Sequence, residues 1–263
     1  MLPLSGRRLV FSALVVGSMA PDFEYFFGLT HPASHTMPGL VTFTYPVALA
    51  VLVVFHQLVK WPVLSLLPRG LQSRMIGPAR RFRWFPATRL LLILASLAIG
   101  IATHVLLDGC THPDGWAVTR WAALRHVMPL PWHRPMPVCG VLQFAGTALG
   151  MLLVAASFAR WYRRTAPEDV VLRPQFSPAM KWGILSTMIV LAVALGYTNG
   201  AEWYGTLFGG SHRARFVVGF TMTTTMVGAA ELFGFGLIWR GFLAGKSVLA
   251  ADDTQSITRR RLG

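Results

Sequence analysis

The sequence predicts an all-α polytopic membrane protein, a bundle of about six transmembrane helices with an interfacial segment on its outer side. Three observations lead there. Hydrophobic residues make up 54% of the chain and charged residues only 13%, with mean hydropathy +0.52, too apolar for an ordinary water-soluble domain. Several windows of roughly 18 to 22 residues carry few or no charges, enough to cross a hydrocarbon core about 30 Å thick. The basic residues alternate between loops: 19 of the 24 Lys and Arg fall in segments 1–8, 60–89, 160–181 and 240–263, leaving Arg120, Arg125, Arg134, Arg213 and Arg215 for the loops between. Under the positive-inside rule that alternation puts both termini in the cytoplasm, with six crossings. The net charge of +14 therefore reads as topology, not as a nucleic-acid surface, because it is scattered between apolar spans. One membrane-embedded domain is expected, with a chemical core over 1–140, further spans over 141–245 and a basic cytoplasmic tail over 246–263.

The spans are expected near 9–28, 39–59, 90–109, 141–159, 182–198 and 216–239. The first follows Arg7-Arg8 and mimics a signal peptide with Ser18-x-Ala20 at its end, but Pro21 disfavours cleavage, so it is read as a membrane helix. It leads outward to Asp22 and Glu24, then to a loop with His31 and His35. On the second span His56 lies about 25 Å from Gly39 at 1.5 Å per residue, and so belongs near the cytoplasmic side. The connection 60–89, with Arg80-Arg81-x-Arg83 beside Trp84 and Phe85, reads equally as a basic segment lying on anionic lipid or as a plain charge anchor. In the outer loop 113–140, Asp114 is expected to cap a short interfacial helix with Ala117, Trp121, Leu124 and Met128 on one face. Trp116, Trp121 and Trp132 would anchor it, and Pro129, Pro131, Pro135 and Pro137 would stiffen the return. In the last span Gly219, Gly228, Gly234 and Gly236 point to close helix packing. Glu231 there is a functional hypothesis by position, weighed against a hydrogen-bonded or protonated carboxyl facing a neighbouring helix.

The chemistry concentrates in Thr103-His104-Val105-Leu106-Leu107-Asp108-Gly109-Cys110-Thr111-His112. Residues four apart share a helix face, so His104 and Asp108 point the same way. Gly109 is expected to let the backbone leave the helix, with His112 on the following turn. Loop charge alone brings Asp22 and His35 to the same outer level. Asp22, His35, His104, Asp108 and His112 are nitrogen and oxygen donors of the type zinc accepts. A metal-assisted hydrolysis of a lipid-borne or phosphodiester substrate is the expected activity, with Asp22 as a catalytic group and Glu24 to orient water. Against it stands a purely structural cluster, in which His104 and Asp108 satisfy each other and pin helices together, or a transporter. His31, His126, His133 and His212 are expected at the surface. Cys110 and Cys139 share one outer loop and would be either bridged or two buried thiols.

Three blocks carry a resemblance. Ala13-Leu14-Val15-Val16-Gly17-Ser18-Met19-Ala20-Pro21-Asp22-Phe23-Glu24-Tyr25-Phe26, Ser34-His35-Thr36-x-x-Gly39 and Thr103-His104-x-x-x-Asp108-x-x-Thr111-His112-x-x-Gly115-Trp116 resemble a family of multi-pass bacterial membrane proteins described only as a domain of unknown function. That family is in turn similar to membrane-bound metal-dependent hydrolases and, more distantly, to zinc-dependent phospholipase C. There an Asp, a later His, a His-x-x-x-Asp pair and a further His bind a zinc cluster; Asp22, His35, His104, Asp108 and His112 match by type and order. The resemblance implies zinc and hydrolysis of a phosphodiester or lipid. Two departures stand: members usually carry an upstream segment with an extra His, so the chain start is expected to lie inside the first block, and no later His-x-x-x-Glu follows.

Overall fold

A computed structural model describes residues 9–26, 35–130, 133–172, 175–203, 212–242 and 249–251. The expectations for His31 and Trp132 and for the tail Arg259 to Arg261 fall outside them. Helix α1 (Phe11–Met19) passes through a 3-10 turn at Ala20–Asp22 into α2 (Phe23–Phe26). The next helix is continuous from Met37 to Leu66: α3 (Met37–Gly39), a π-helical stretch at Leu40–Thr44, α4 (Tyr45–Val54), a second at Phe55–Val59, and α5 (Lys60–Leu66). Thr36 caps its start, its hydroxyl accepting from the Gly39 N–H at 3.2 Å, with Pro38 in the first turn. Helix α6 (Arg69–Arg81) follows, then α7 (Ala87–Thr111), the short α8 (Trp116–Arg120) and α9 (Ala122–Arg125), and a hairpin of β1 (Val127–Leu130) with β2 (His133–Pro137). Helix α10 (Val138–Arg164), strand β3 (Val170–Leu172), helices α11 (Pro178–Trp203) and α12 (His212–Phe242), and strand β4 (Leu249–Ala251), paired antiparallel with β3, complete the described chain.

The protein is an all-α membrane bundle. Among the described residues five helices are long and apolar enough to cross a bilayer, Met37–Leu66, Ala87–Arg120, Val138–Arg164, Pro178–Asn199 and Phe216–Phe242. Each contains one of the expected spans and overruns it by a few residues. The first expected span, 9–28, is described as far as residue 26: helix over Phe11–Met19, the 3-10 turn at Ala20–Asp22, where Pro21 offers no N–H, and helix again over Phe23–Phe26.

The described residues form two compact units. The first comprises Met1–Asp22, Pro32–Leu49 and Trp84–Arg164; the second comprises Phe23–His31, Ala50–Arg83 and Thr165–Gly263. Within the first, α1 lies directly on α7. Gly17 and Gly100 make that possible: a Cβ on Gly17 would overlap the Leu97 carbonyl, and one on Gly100 would overlap the Leu14 carbonyl and the Ser18 amide. Small residues let the two backbones touch, the packing mode that works where lipid removes any hydrophobic preference between helices. Leu14, Ile93 and Leu97 fill the seam. The Val10 N–H donates to Ser96 Oγ at 2.9 Å, and the Ser96 hydroxyl donates to Leu92 O at 2.6 Å. The Tyr45 hydroxyl donates to Leu94 O at 2.8 Å, tying the second long helix to α7 in the same way.

Several expectations are revised. Helix α7 does not end at Gly109 but runs to Thr111, with His112 as its C-cap donating its N–H to Asp108 O at 2.9 Å. Gly109 serves packing instead, since a Cβ there would strike the Trp116 indole. Gly115, not Asp114, stands at the N-cap of α8, and the interfacial helix breaks at Trp121 and ends at Arg125. Met128 is thus in a strand, where the proline-rich return pairs as a hairpin. Of the last-span glycines, Gly236 packs against Leu58, whereas Gly228 and Gly234 face open space. Cys110 and Cys139 are free thiols, Cys139 buried.

Candidate metal centre

The tight α1–α7 seam brings the residues after α1 beside the C-terminal third of α7. There the ligand atoms of Asp22, His35 and His104 all lie within 4.8 Å of one another. Asp108 joins them from one turn further along α7. Its Oδ2 is 2.9 Å from His104 Nε2 and 3.5 Å from His35 Nε2, and its Oδ1 is 3.5 Å from His112 Nδ1. Asp22 Oδ1 stands 3.7 Å from His104 Nε2. The rings of His35 and His104 are 5.8 Å apart, tilted at 49°. All five residues singled out by their spacing therefore meet in one cluster. Side-chain exposure rises from 13% at His104 through 23% at Asp108 to 46% at His112 and 50% at Asp22, so the cluster is closed at His104 and open on its other side.

His104 is oriented from behind. Its Nδ1 lies 2.8 Å from the Ser18 carbonyl oxygen, which only accepts, so Nδ1 carries the proton. In the neutral ring Nε2 then presents its lone pair to the cluster. Nε2 is buried and makes no hydrogen bond of regular geometry among the described residues, with Asp108 Oδ2 2.9 Å away. A lone pair facing two carboxylate oxygens is repulsive unless a proton or a cation lies between them. A ligating histidine held through its other nitrogen by a carbonyl is the usual way a protein fixes such a ring. The donor set of two carboxylates and three imidazoles fits a borderline divalent cation.

The outer ligand is supported as well. The Thr111 hydroxyl donates to Leu107 O at 3.0 Å and lies 3.5 Å from His112 Nδ1. Thr111 stood in the third block of the resemblance without a role, and the Ser18 carbonyl had no signal beyond a Gly four residues before His104.

A family model described as a domain of unknown function, DUF4184, matches residues 1–239. The chain belongs to the DUF4184 family. No curated protein and no solved structure matches it. The DUF4184 match covers the whole cluster, four of the five candidate spans and the fifth as far as residue 239.

Glu24 is buried on α2. Arg125 is occupied at the end of α8, donating from Nη1 to the carbonyls of Val118 and Thr119. Arg120 and His126 are exposed. His56 is buried in the second unit between Phe55 and Phe82, its ring stacked 3.3 Å from that of Phe82. Glu231 is half-buried, and its Oε2 has no hydrogen-bond partner among the described residues.

Proposed function

We infer that Asp22, His35, His104, Asp108 and His112 hold at least one divalent cation, zinc by donor type, at the outer face of a bacterial inner membrane with both termini cytoplasmic. The activity is metal-dependent hydrolysis of a lipid-borne or phosphodiester substrate. The observation that carries this reading is His104 Nε2: aimed into the cluster by the Ser18 carbonyl, buried, and without a hydrogen bond of regular geometry among the described residues. A cation of this class acidifies water and polarises a phosphoryl or acyl oxygen. The half-exposed Asp22 carboxylate lies on the open side, where it can accept a proton from water as well as ligate. Leu106 and Leu107, exposed on the α7 turn that carries Asp108, present an apolar surface beside the site, as a lipid-borne substrate needs.

A second reading rests on the 2.9 Å approach of His104 to Asp108 one turn away: a structural pair that pins helices without a metal. Elemental analysis of the purified protein separates the two. The hydrolase reading expects close to one or more equivalents of zinc, lost on chelation and regained on addition of zinc. Protein that stays folded and binds no divalent metal under any of these conditions would leave only the structural pair.

A further inference from the structure

The basic connection between the helix Met37–Leu66 and α7 reads two ways in the sequence, and the fold of α6 narrows the choice. At the helical repeat, Leu71, Met75, Ile76 and Ala79 fall on one arc of α6 and Arg69, Arg74, Arg80 and Arg81 on the other. The apolar arc is already used inside the protein. Ile76 is fully buried with Leu64 and Leu172, and Trp61, Leu67, Met75 and Ala79 close over them. The helix therefore has no free apolar face to insert into a bilayer. What it presents is charge. Arg69, Arg80, Arg81 and Arg83 are exposed, and none has a hydrogen bond or ion pair with the described residues. Lys181, close enough to Arg69 to repel it, adds to the same sign, its Nζ donating to Leu67 O at 2.7 Å. Glu168 rests over Gly77 on the basic side and pairs with none of them. The connection 60–89 contains seven Lys or Arg and no acid at all.

We propose that the arginine face of α6, continued by Arg83, is a docking surface for anionic phospholipid headgroups, held at the membrane boundary by the internal apolar cluster. Arg suits this partner because its planar fork engages phosphate oxygens in pairs. A segment joining two spans within some twenty residues stays at headgroup depth, where each basic side chain gains from the negative surface. This surface is independent of the metal centre.

The test uses the full-length protein reconstituted in bilayers with spin-labelled phosphatidylglycerol or phosphatidylcholine, reading the relative association of each lipid from its motionally restricted fraction. Wild type is expected to prefer phosphatidylglycerol by roughly tenfold at low salt, the preference collapsing at high salt. Arg80→Gln, Arg81→Gln and Arg83→Gln together, which keep Lys60, Arg69, Arg74 and Arg89 for orientation, are expected to cut it to about twofold. Should the triple variant fail to insert, the three single variants carry the test, each lowering the preference by about twofold. A wild type without preference, or variants that retain it in full, would overturn the proposal; in either case the arginines serve orientation alone.

Discussion

At the scale of single residues the site turns on one imidazole. His104 is fixed from behind by a backbone carbonyl and faces both carboxylates from the front. His104→Ala is therefore expected to abolish metal uptake while leaving a folded protein, since it removes no packing from the Leu14–Leu97 seam. Metal content and thermal unfolding, measured on the same sample, check both halves. Thr111→Val keeps the volume and removes the hydroxyl next to His112 Nδ1. The expected cost is about tenfold in metal affinity, the low end for a group that positions a ligand, given the 3.5 Å contact. Unchanged affinity would mean that the hydroxyl serves only Leu107 O. The clustering of His104, Asp108 and His112 was legible because they repeat every four residues along and just past one helix. The Ser18 carbonyl was not, since a backbone group has no signature in sequence, and Ser18 itself drew attention only as part of a mock cleavage site.

At the scale of elements the decisive contact is the crossing of α1 and α7. Gly100 precedes His104 by one turn, so the spacing that admits the Leu14 and Ser18 backbone also sets the reach of His104 Nδ1 to Ser18 O. Gly100→Ala adds one methyl into backbone, which cannot yield as a side chain would. We expect a loss of about 1 to 3 kcal/mol in stability, as for overpacking elsewhere. At least a tenfold drop in metal affinity is expected with it, because the helices must separate. Gly146→Ala on α10 is the control, since a Cβ there meets nothing. It should be neutral or stabilise by up to about 1 kcal/mol, helix propensity favouring Ala over Gly. Equal behaviour of the two variants would remove the crossing from the argument. The glycines of the last span were weighted by number in the sequence, yet only packing partners decide: Gly236 meets Leu58, whereas Gly228 and Gly234 meet nothing. The helix end at Thr111 was likewise hidden, because Gly109 reads as a terminator until Trp116 is seen resting on it.

At the scale of the whole molecule, hydropathy placed the long helices, and loop charge predicts their direction; both are collective properties that survive errors in any one boundary. The sidedness proposed for the candidate metal centre rests on the same charges. Helix α7 starts after the arginine-rich connection and ends at Thr111, so Asp114 and Gly70 fall on opposite sides of the membrane if the arginines are retained inside. In a background with Cys110 and Cys139 replaced by Ser and Ala, Asp114→Cys is expected to react with a membrane-impermeant maleimide added to intact cells. Gly70→Cys is expected to react only after permeabilisation. The turn at Ala20–Asp22 makes this more than a check on loop charge: tags at both termini should be protected from external protease only if the run through Pro21 crosses the bilayer. Reversed labelling would put Asp22, His35 and His104 on the cytoplasmic side and change the pool of lipid the centre can meet. Correct labelling with an exposed amino terminus would instead show the first helix to be re-entrant, supplying Asp22 from the outer surface without spanning.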